Sequence, residues 1–206
     1  MKTSNKFTLA RVCFAPIFFF LYFVPIWTQN LLLAKISAFI MIPLLALAQL
    51  TDYFDGHYAR KNGEVSDFGK LFDPFADVML NLTLFVCAQR SFSQQLNPNG
   101  YMPVVCFILI LFREFTMNFI RMVAVSRGTA IAARKGGKLK TVFYIASGFY
   151  VLAIESLIRL GIVDLSADMA TLHVIACVMF SICVLLSYIS FIDYIRAFAG
   201  IFKESK

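Results

Sequence analysis

Apolar residues fall into six long blocks, with polar residues collected between them. A helix needs about 20 residues to cross the hydrocarbon core of a bilayer. The pattern predicts spans over Thr8 to Trp27, Leu31 to Tyr53, Gly69 to Gln89, Tyr101 to Ala124, Thr141 to Leu160 and Leu172 to Phe198. The break after the third block holds Ser91, Ser93, Gln94, Gln95, Asn97, Pro98, Asn99 and Gly100, which is turn chemistry. No internal repeat or low-complexity segment interrupts the series. The expected fold is all-α: a polytopic membrane protein of six transmembrane helices, with residues 1–206 as one domain.

Composition supports that frame. The 206 residues are 60% hydrophobic and 15% charged, with a mean hydropathy of +0.76. A soluble domain is nearer half apolar and a quarter charged. The five cysteines, Cys13, Cys87, Cys106, Cys177 and Cys183, sit in apolar runs without a C-x-x-C pair, and read as small buried thiols. The first apolar block is long and lacks a small-x-small cleavage site, so it reads as a span rather than a signal peptide.

Charge then orients the chain. Basic residues gather at the N-terminus (Lys2, Lys6, Arg11), between spans two and three (Arg60, Lys61, Lys70) and at the C-terminus (Arg196, Lys203, Lys206). The connection between spans four and five adds Arg121, Arg127, Arg134, Lys135, Lys138 and Lys140. The other side has only Lys35, Arg90 and Arg159. The positive-inside rule therefore predicts cytoplasmic termini in an inner or plasma membrane. The net charge of +7 then serves topology and attraction to anionic lipid headgroups, and excludes nucleic acid as the expected partner of so apolar a chain.

One stretch carries the chemistry. Asp52 and Asp55 are spaced i, i+3, and Asp73 and Asp77 i, i+4, so on helices each pair faces one way. Two such pairs across a short connection suit one or two hard divalent cations with oxygen ligands. Helix caps would explain Asp73, or Asp67 in the loop, but not carboxylates at the end of span two, where the macrodipole disfavours negative charge. Gly56, Ala59 and Gly69 leave clearance for a bulky ligand. The proline after Asp73 fits a first-turn position.

The pattern D-x2-D-G-x2-A-R-x8-G-x3-D-x3-D, from Asp52 to Asp77, resembles the signature of the CDP-alcohol phosphatidyltransferases at all eight of its fixed positions. The resemblance implies a membrane domain of six helices covering most of the chain. It implies transfer of a phosphatidyl or related group from a CDP-linked donor to a hydroxyl acceptor, with release of CMP. Carried over by position, Asp52, Asp55, Asp73 and Asp77 would ligate Mg2+ or Mn2+, and Asp77 would be the catalytic general base. Thr8, Asp52, Gly56, Ala59, Arg60 and Gly69 would meet the cytidine nucleotide. The resemblance also implies a homodimer.

The chemistry agrees with the residues themselves. Divalent cations neutralise a pyrophosphate donor and its leaving phosphate, and a carboxylate beside the acceptor hydroxyl takes its proton. For the acceptor, Arg113-Glu114, Arg121 and the segment Gly136-Gly137-Lys138-Leu139-Lys140-Thr141 are the candidates. Arg113 lies deep in an apolar run, where an arginine is costly and marks function. A Gly-Lys-x-Lys-Thr segment opening a helix is an anion site. The pocket of Arg113, Arg121, Lys138, Lys140 and Thr141 suits an acceptor that carries a phosphate.

These segments, with Asn5 to Arg11 and Leu71 to Asp77, resemble the family members that join sn-glycerol 3-phosphate to CDP-diacylglycerol. Val78 and Tyr144 depart from that pattern, where Lys and Gln are frequent. A phosphatidylinositol-phosphate-type synthase needs a similar pocket and is the alternative within the class. A cation- or proton-coupled transporter is the alternative outside it, but its carboxylates belong near the bilayer midplane. Elsewhere, Glu155 and Arg159 are expected to neutralise each other near the far interface, and His173 to be solvated.

Overall fold

The computed structural model describes the backbone of residues 3–61, 67–126 and 135–203, and the side chains of residues 8–51, 69, 71–126 and 137–196. Six helices follow one another: α1 (Thr3–Thr28), α2 (Leu31–Lys61), α3 (Asp67–Cys87), α4 (Val104–Ser126), α5 (Lys135–Leu160) and α6 (Met169–Lys203). Each expected span corresponds to one helix. Among the described residues, four helical segments are long and apolar enough to cross a membrane: Thr8–Thr28, Leu31–Thr51, Gly137–Leu160 and Met169–Arg196. The others, α3 and α4, are the helices that carry Asp73, Asp77, Arg113, Glu114 and Arg121.

Local chemistry sets the helix ends. Asn30 Oδ1 accepts from the backbone N–H groups of Leu32 and Leu33 at 2.9 and 3.1 Å, capping α2 directly after α1. The Gly161 N–H donates to the Leu157 carbonyl at 3.0 Å with φ +65°, closing α5. In the α5–α6 connection the Ser166 N–H donates to Asp164 Oδ1, which holds that exposed carboxyl below its ordinary range. Gly100 has φ +68°, and a Cβ there would stand 2.4 Å from the backbone of Gln89. That close approach lets the Tyr101 N–H reach the Ala88 carbonyl at 2.8 Å and folds the polar break back onto α3.

Packing places α1 against α2 and α3, α5 against α2 and α6, and α4 against α3 and α6. Phe85 of α3 joins two layers: its ring lies 5.0 Å from Tyr144 of α5 and 5.5 Å from Phe180 of α6, edge to face. Met41, Leu45, Tyr22 and Phe18 fill the space between α1, α2 and these rings. Large apolar side chains such as Phe39, Val105, Phe112, Phe115 and Leu185 point outward. Lipid solvates such surface at none of the penalty that water exacts.

Two expectations change. Helix α2 continues to Lys61, so Asp52 and Asp55 lie inside it rather than at its end. Helix α3 begins at Asp67, so Pro74 stands inside it rather than in its first turn. Without an N–H, Pro74 leaves the carbonyl of the preceding turn without its helical donor, close to Asp73.

The end of the bundle away from Asp73 and Asp77 is tied by a buried network. Glu155, fully buried, accepts from Arg159 Nε at 2.9 Å, Phe92 N at 2.8 Å, Ser91 Oγ at 2.9 Å and Tyr101 OH at 2.6 Å. Arg159 also donates to Ser37 Oγ at 2.7 Å and the Tyr22 carbonyl at 3.0 Å. Glu155 and Arg159 pair as expected at this end of α5, but both are buried, and the pair cross-links α1, α2, α5 and the α3–α4 connection. His173 Nδ1 lies 2.9 Å from the Gly100 carbonyl and is part-buried, so it is packed rather than solvated.

Candidate active site

A cavity of about 230 Å³ opens between α3, α4, α5 and α6. Its lining includes Asp73 and Asp77 from α3, Arg113, Glu114 and Arg121 from α4, and Gly137, Lys138, Lys140, Thr141 and Tyr144 from α5. The two described carboxylates of the signature and all five expected acceptor residues therefore share one space. They come from segments up to 68 residues apart (Asp73 to Thr141; 141 − 73), which folding alone brings together.

Asp73 and Asp77 are one helical turn apart, with side chains 44% and 41% exposed. Helix α1 holds both from the other side. Thr8, fully buried, donates from Oγ1 to Asp73 Oδ1 at 2.5 Å. Arg11, 1% exposed, donates from Nη1 to Asp77 Oδ1 and places Nη2 3.9 Å from Asp73 Oδ1. Thr8 was expected at the nucleotide; its hydroxyl here orients a carboxylate. From sequence alone Arg11 is one of the charges that set topology. An arginine in an apolar helix is costly unless paired, the reasoning that singled out Arg113, and it would have found Arg11 too.

The basic wall is held by Glu114. Its Oε2 accepts from Arg113 Nη1 at 2.9 Å, and its Oε1 accepts from Lys140 Nζ at 2.7 Å and Tyr144 OH at 3.0 Å. Arg113 is buried and donates from Nε to the Ser187 carbonyl of α6 at 3.1 Å, so this arginine faces the bundle and not lipid. Tyr144, the residue that departs from the expected pattern, is thus an integral donor to the same carboxylate. Arg121 lies 5.9 Å over the ring of Tyr194, and Lys138 is exposed at the mouth. The Thr141 hydroxyl donates to the Gly137 carbonyl at 3.1 Å, which commits its proton to the helix.

The remaining residues of the signature divide. Gly69 lies one turn before Asp73 in α3. Asp52, Asp55, Gly56, Ala59 and Arg60 lie within α2, and their side chains are outside the described residues. Asp73 and Asp77 supply hard, partly exposed oxygen donors on one helix face, a set that fits a divalent cation. Among the described residues no group of three or more His, Cys, Asp or Glu side chains could hold a metal ion. The polar cavity residues outside the sequence-based candidates are Asn81, Ser190 and Tyr194. Their polar atoms lie in apolar runs, and only the packing of α3 against α4 and α5, and of α6 against the same two helices, shows which way they face.

Carboxylates thus face cations in a cavity between helices of an apolar bundle. The chain belongs to the CDP-alcohol phosphatidyltransferase family, whose model matches residues 1–183. It is 33% identical, over 209 aligned positions, to the CDP-diacylglycerol–glycerol-3-phosphate 3-phosphatidyltransferase of Treponema pallidum, with 99% of this chain and 92% of that protein covered. The Bacillus subtilis protein of the same name is 33% identical over 66% of this chain and 69% of its own length. That of Rickettsia typhi is 31% identical over 66% of this chain and 68% of its own length.

Proposed function

We propose that this chain transfers the phosphatidyl group of CDP-diacylglycerol to sn-glycerol 3-phosphate, forming phosphatidylglycerophosphate and CMP. The observation that carries the reading is the shared cavity, in which Asp73 and Asp77 face Arg113, Arg121, Lys138 and Lys140. The family and the printed names of the relatives support it.

In this reading Asp77 accepts the proton of the glycerol hydroxyl as it attacks the phosphorus of the donor, and CMP leaves. Arg11 supplies a counter-charge to Asp77 and Asp73 and fixes their orientation. The glycerol phosphate sits among Arg113, Arg121, Lys138 and Lys140, where guanidinium and ammonium groups bind phosphate oxygens. Thr141 serves the helix start rather than the phosphate directly. Thr8, Asp52, Gly56, Ala59, Arg60 and Gly69 hold the cytidine end, with Thr8 acting through Asp73. Asp52, Asp55, Asp73 and Asp77 would hold one or two Mg2+ or Mn2+ ions, whose charge would neutralise the pyrophosphate and its leaving group. The acyl chains of the donor remain in the bilayer, beside the outward apolar faces of the helices.

The same reading takes all six helices as spans of a single domain, with both termini and the cavity on the cytoplasmic side of the cell membrane and two copies forming a dimer. Asp73, Asp77, Arg113, Glu114 and Arg121 do not bar α3 and α4 from the bilayer, because they line the cavity.

The test is CMP release by the purified protein in detergent with CDP-diacylglycerol and Mg2+, comparing glycerol 3-phosphate, inositol 1-phosphate, myo-inositol, serine and no acceptor. Release only with glycerol 3-phosphate is expected. Release with inositol 1-phosphate instead would keep the carboxylate chemistry and overturn the acceptor.

A further inference from the structure

The four cations of the cavity, Arg113, Arg121, Lys138 and Lys140, suit a phosphate. Arginine and lysine side chains only donate, and phosphate oxygens only accept. Asn81 breaks this pattern. It stands one turn after Asp77 on the same face of α3 and lines the cavity. Its Nδ2 donates to the Asp77 carbonyl at 2.8 Å, and a carbonyl accepts only, so the amide orientation is fixed with Oδ1 as the other end. Oδ1 is buried and has no hydrogen-bond partner among the described residues. A phosphate oxygen cannot satisfy it; an O–H or N–H donor can.

Ser190 of α6 is the second such group. It is 2% exposed, lines the same cavity, and its Oγ also has no partner among the described residues. It lies beside the start of α5, 4.0 Å from where a Cβ on Gly137 would stand. A buried, unsatisfied polar atom is costly, and one lining a site implies a partner that arrives with the ligand.

We propose that Asn81 and Ser190 read a secondary hydroxyl of the acceptor, and so select a polyol phosphate over a simple alcohol phosphate. The inference rests on the acceptor reading given above. The cations bind the phosphate, Asp77 faces the attacking primary hydroxyl, and Asn81 Oδ1, one turn further along α3, accepts from the neighbouring hydroxyl. Ser190 Oγ completes the contact from α6. Without that hydroxyl both buried groups stay unsatisfied in the complex, which is the arrangement that gives strong discrimination.

The experiment compares sn-glycerol 3-phosphate with 3-hydroxypropyl phosphate, which keeps the phosphate and the primary hydroxyl but lacks the secondary one. CMP release is followed with the full chain in detergent, CDP-diacylglycerol and Mg2+, for wild type, Asn81→Leu and Ser190→Ala. The wild type should favour glycerol 3-phosphate in kcat/KM by roughly 10- to 100-fold. In Asn81→Leu that ratio should fall to within about threefold of one, and in Ser190→Ala it should fall at least threefold. Ser190→Ala removes a single oxygen and carries the test if Asn81→Leu does not fold. A wild-type ratio near one, or an unchanged ratio in the folded variants, overturns the pair. No turnover of glycerol 3-phosphate by the wild type overturns the reaction itself, a separate result.

Discussion

Lys140 Nζ donates to Glu114 Oε1 at 2.7 Å, and the same oxygen accepts from Tyr144 one turn later in α5. The carboxylate thus fixes the position of a cation that lines the cavity while offsetting part of the repulsion between Lys140 and Arg113. Glu114 is buried and Lys140 largely so, with side chains 5% and 13% exposed. Removing one partner of a buried pair costs about 3–5 kcal/mol, because the other charge is left uncompensated. Glu114→Ala should therefore lower the melting temperature markedly. Glu114→Gln should fold better yet raise the KM for glycerol 3-phosphate several-fold, with a smaller change for CDP-diacylglycerol. Equal changes in both KM values would assign Glu114 to the fold alone.

Asp77→Asn tests the proton acceptor. The amide keeps the shape and can still accept from Arg11, and Asp73 remains 3.9 Å from that guanidinium. Folding should survive, while turnover falls by about 10²–10⁴, the range typical of general-base removal. Measured CMP release within about tenfold of wild type would remove Asp77 from that role.

The acceptor wall makes a different prediction. Lys138 is exposed at the cavity mouth, so Lys138→Ala should leave the melting temperature within about 1–2 °C of wild type, as for most surface substitutions. It should raise the KM for glycerol 3-phosphate, more so at low ionic strength, and leave donor KM nearly unchanged. An unaltered acceptor KM would exclude Lys138 from phosphate binding.

How much of this was legible in the sequence depends on what each signal measures. Apolar block length found all six helices, four of which hold a segment long and apolar enough to cross a membrane. It misjudged the end of α2, because helical structure continues through Asp52 to Lys61 after hydropathy falls. Spacing found Asp73 and Asp77 because i, i+4 residues share a helix face. It could not find that Thr8 and Arg11 of α1 meet them, a contact 65 and 66 residues distant in sequence. The same limit hid Glu155. A pair at i, i+4 reads identically on a wet surface and in a core, and only the neighbours Ser91, Phe92 and Tyr101 distinguish the two.

That distinction is measurable. A solvated helix pair contributes about 0.3–0.5 kcal/mol, whereas breaking a buried one costs about 3–5 kcal/mol. Glu155→Ala leaves Arg159, Ser91, Tyr101 and the Phe92 N–H without their common acceptor. It should lower stability by an amount in the second range and leave both KM values of the folded fraction unchanged. A loss below about 1 kcal/mol would return the pair to the interface.

Metal removal tests the carboxylates without altering a residue. A ligand that binds only the folded state stabilises it by mass action, by about 2.7 kcal/mol at 100 times its Kd. Chelated protein should release no CMP, and adding Mg2+ or Mn2+ should restore release and raise the melting temperature together. Asp73→Asn should shift the melting response to higher metal concentration even under conditions without substrate, because it removes one hard oxygen donor from a set whose other described member is Asp77. The thermal readout separates metal binding from catalysis: activity lost with an unchanged metal-dependent melting curve would assign Asp73 to the substrate rather than the ion. Undiminished CMP release after chelation would overturn the metal site as a whole and leave Arg11 as the cation that serves these two carboxylates.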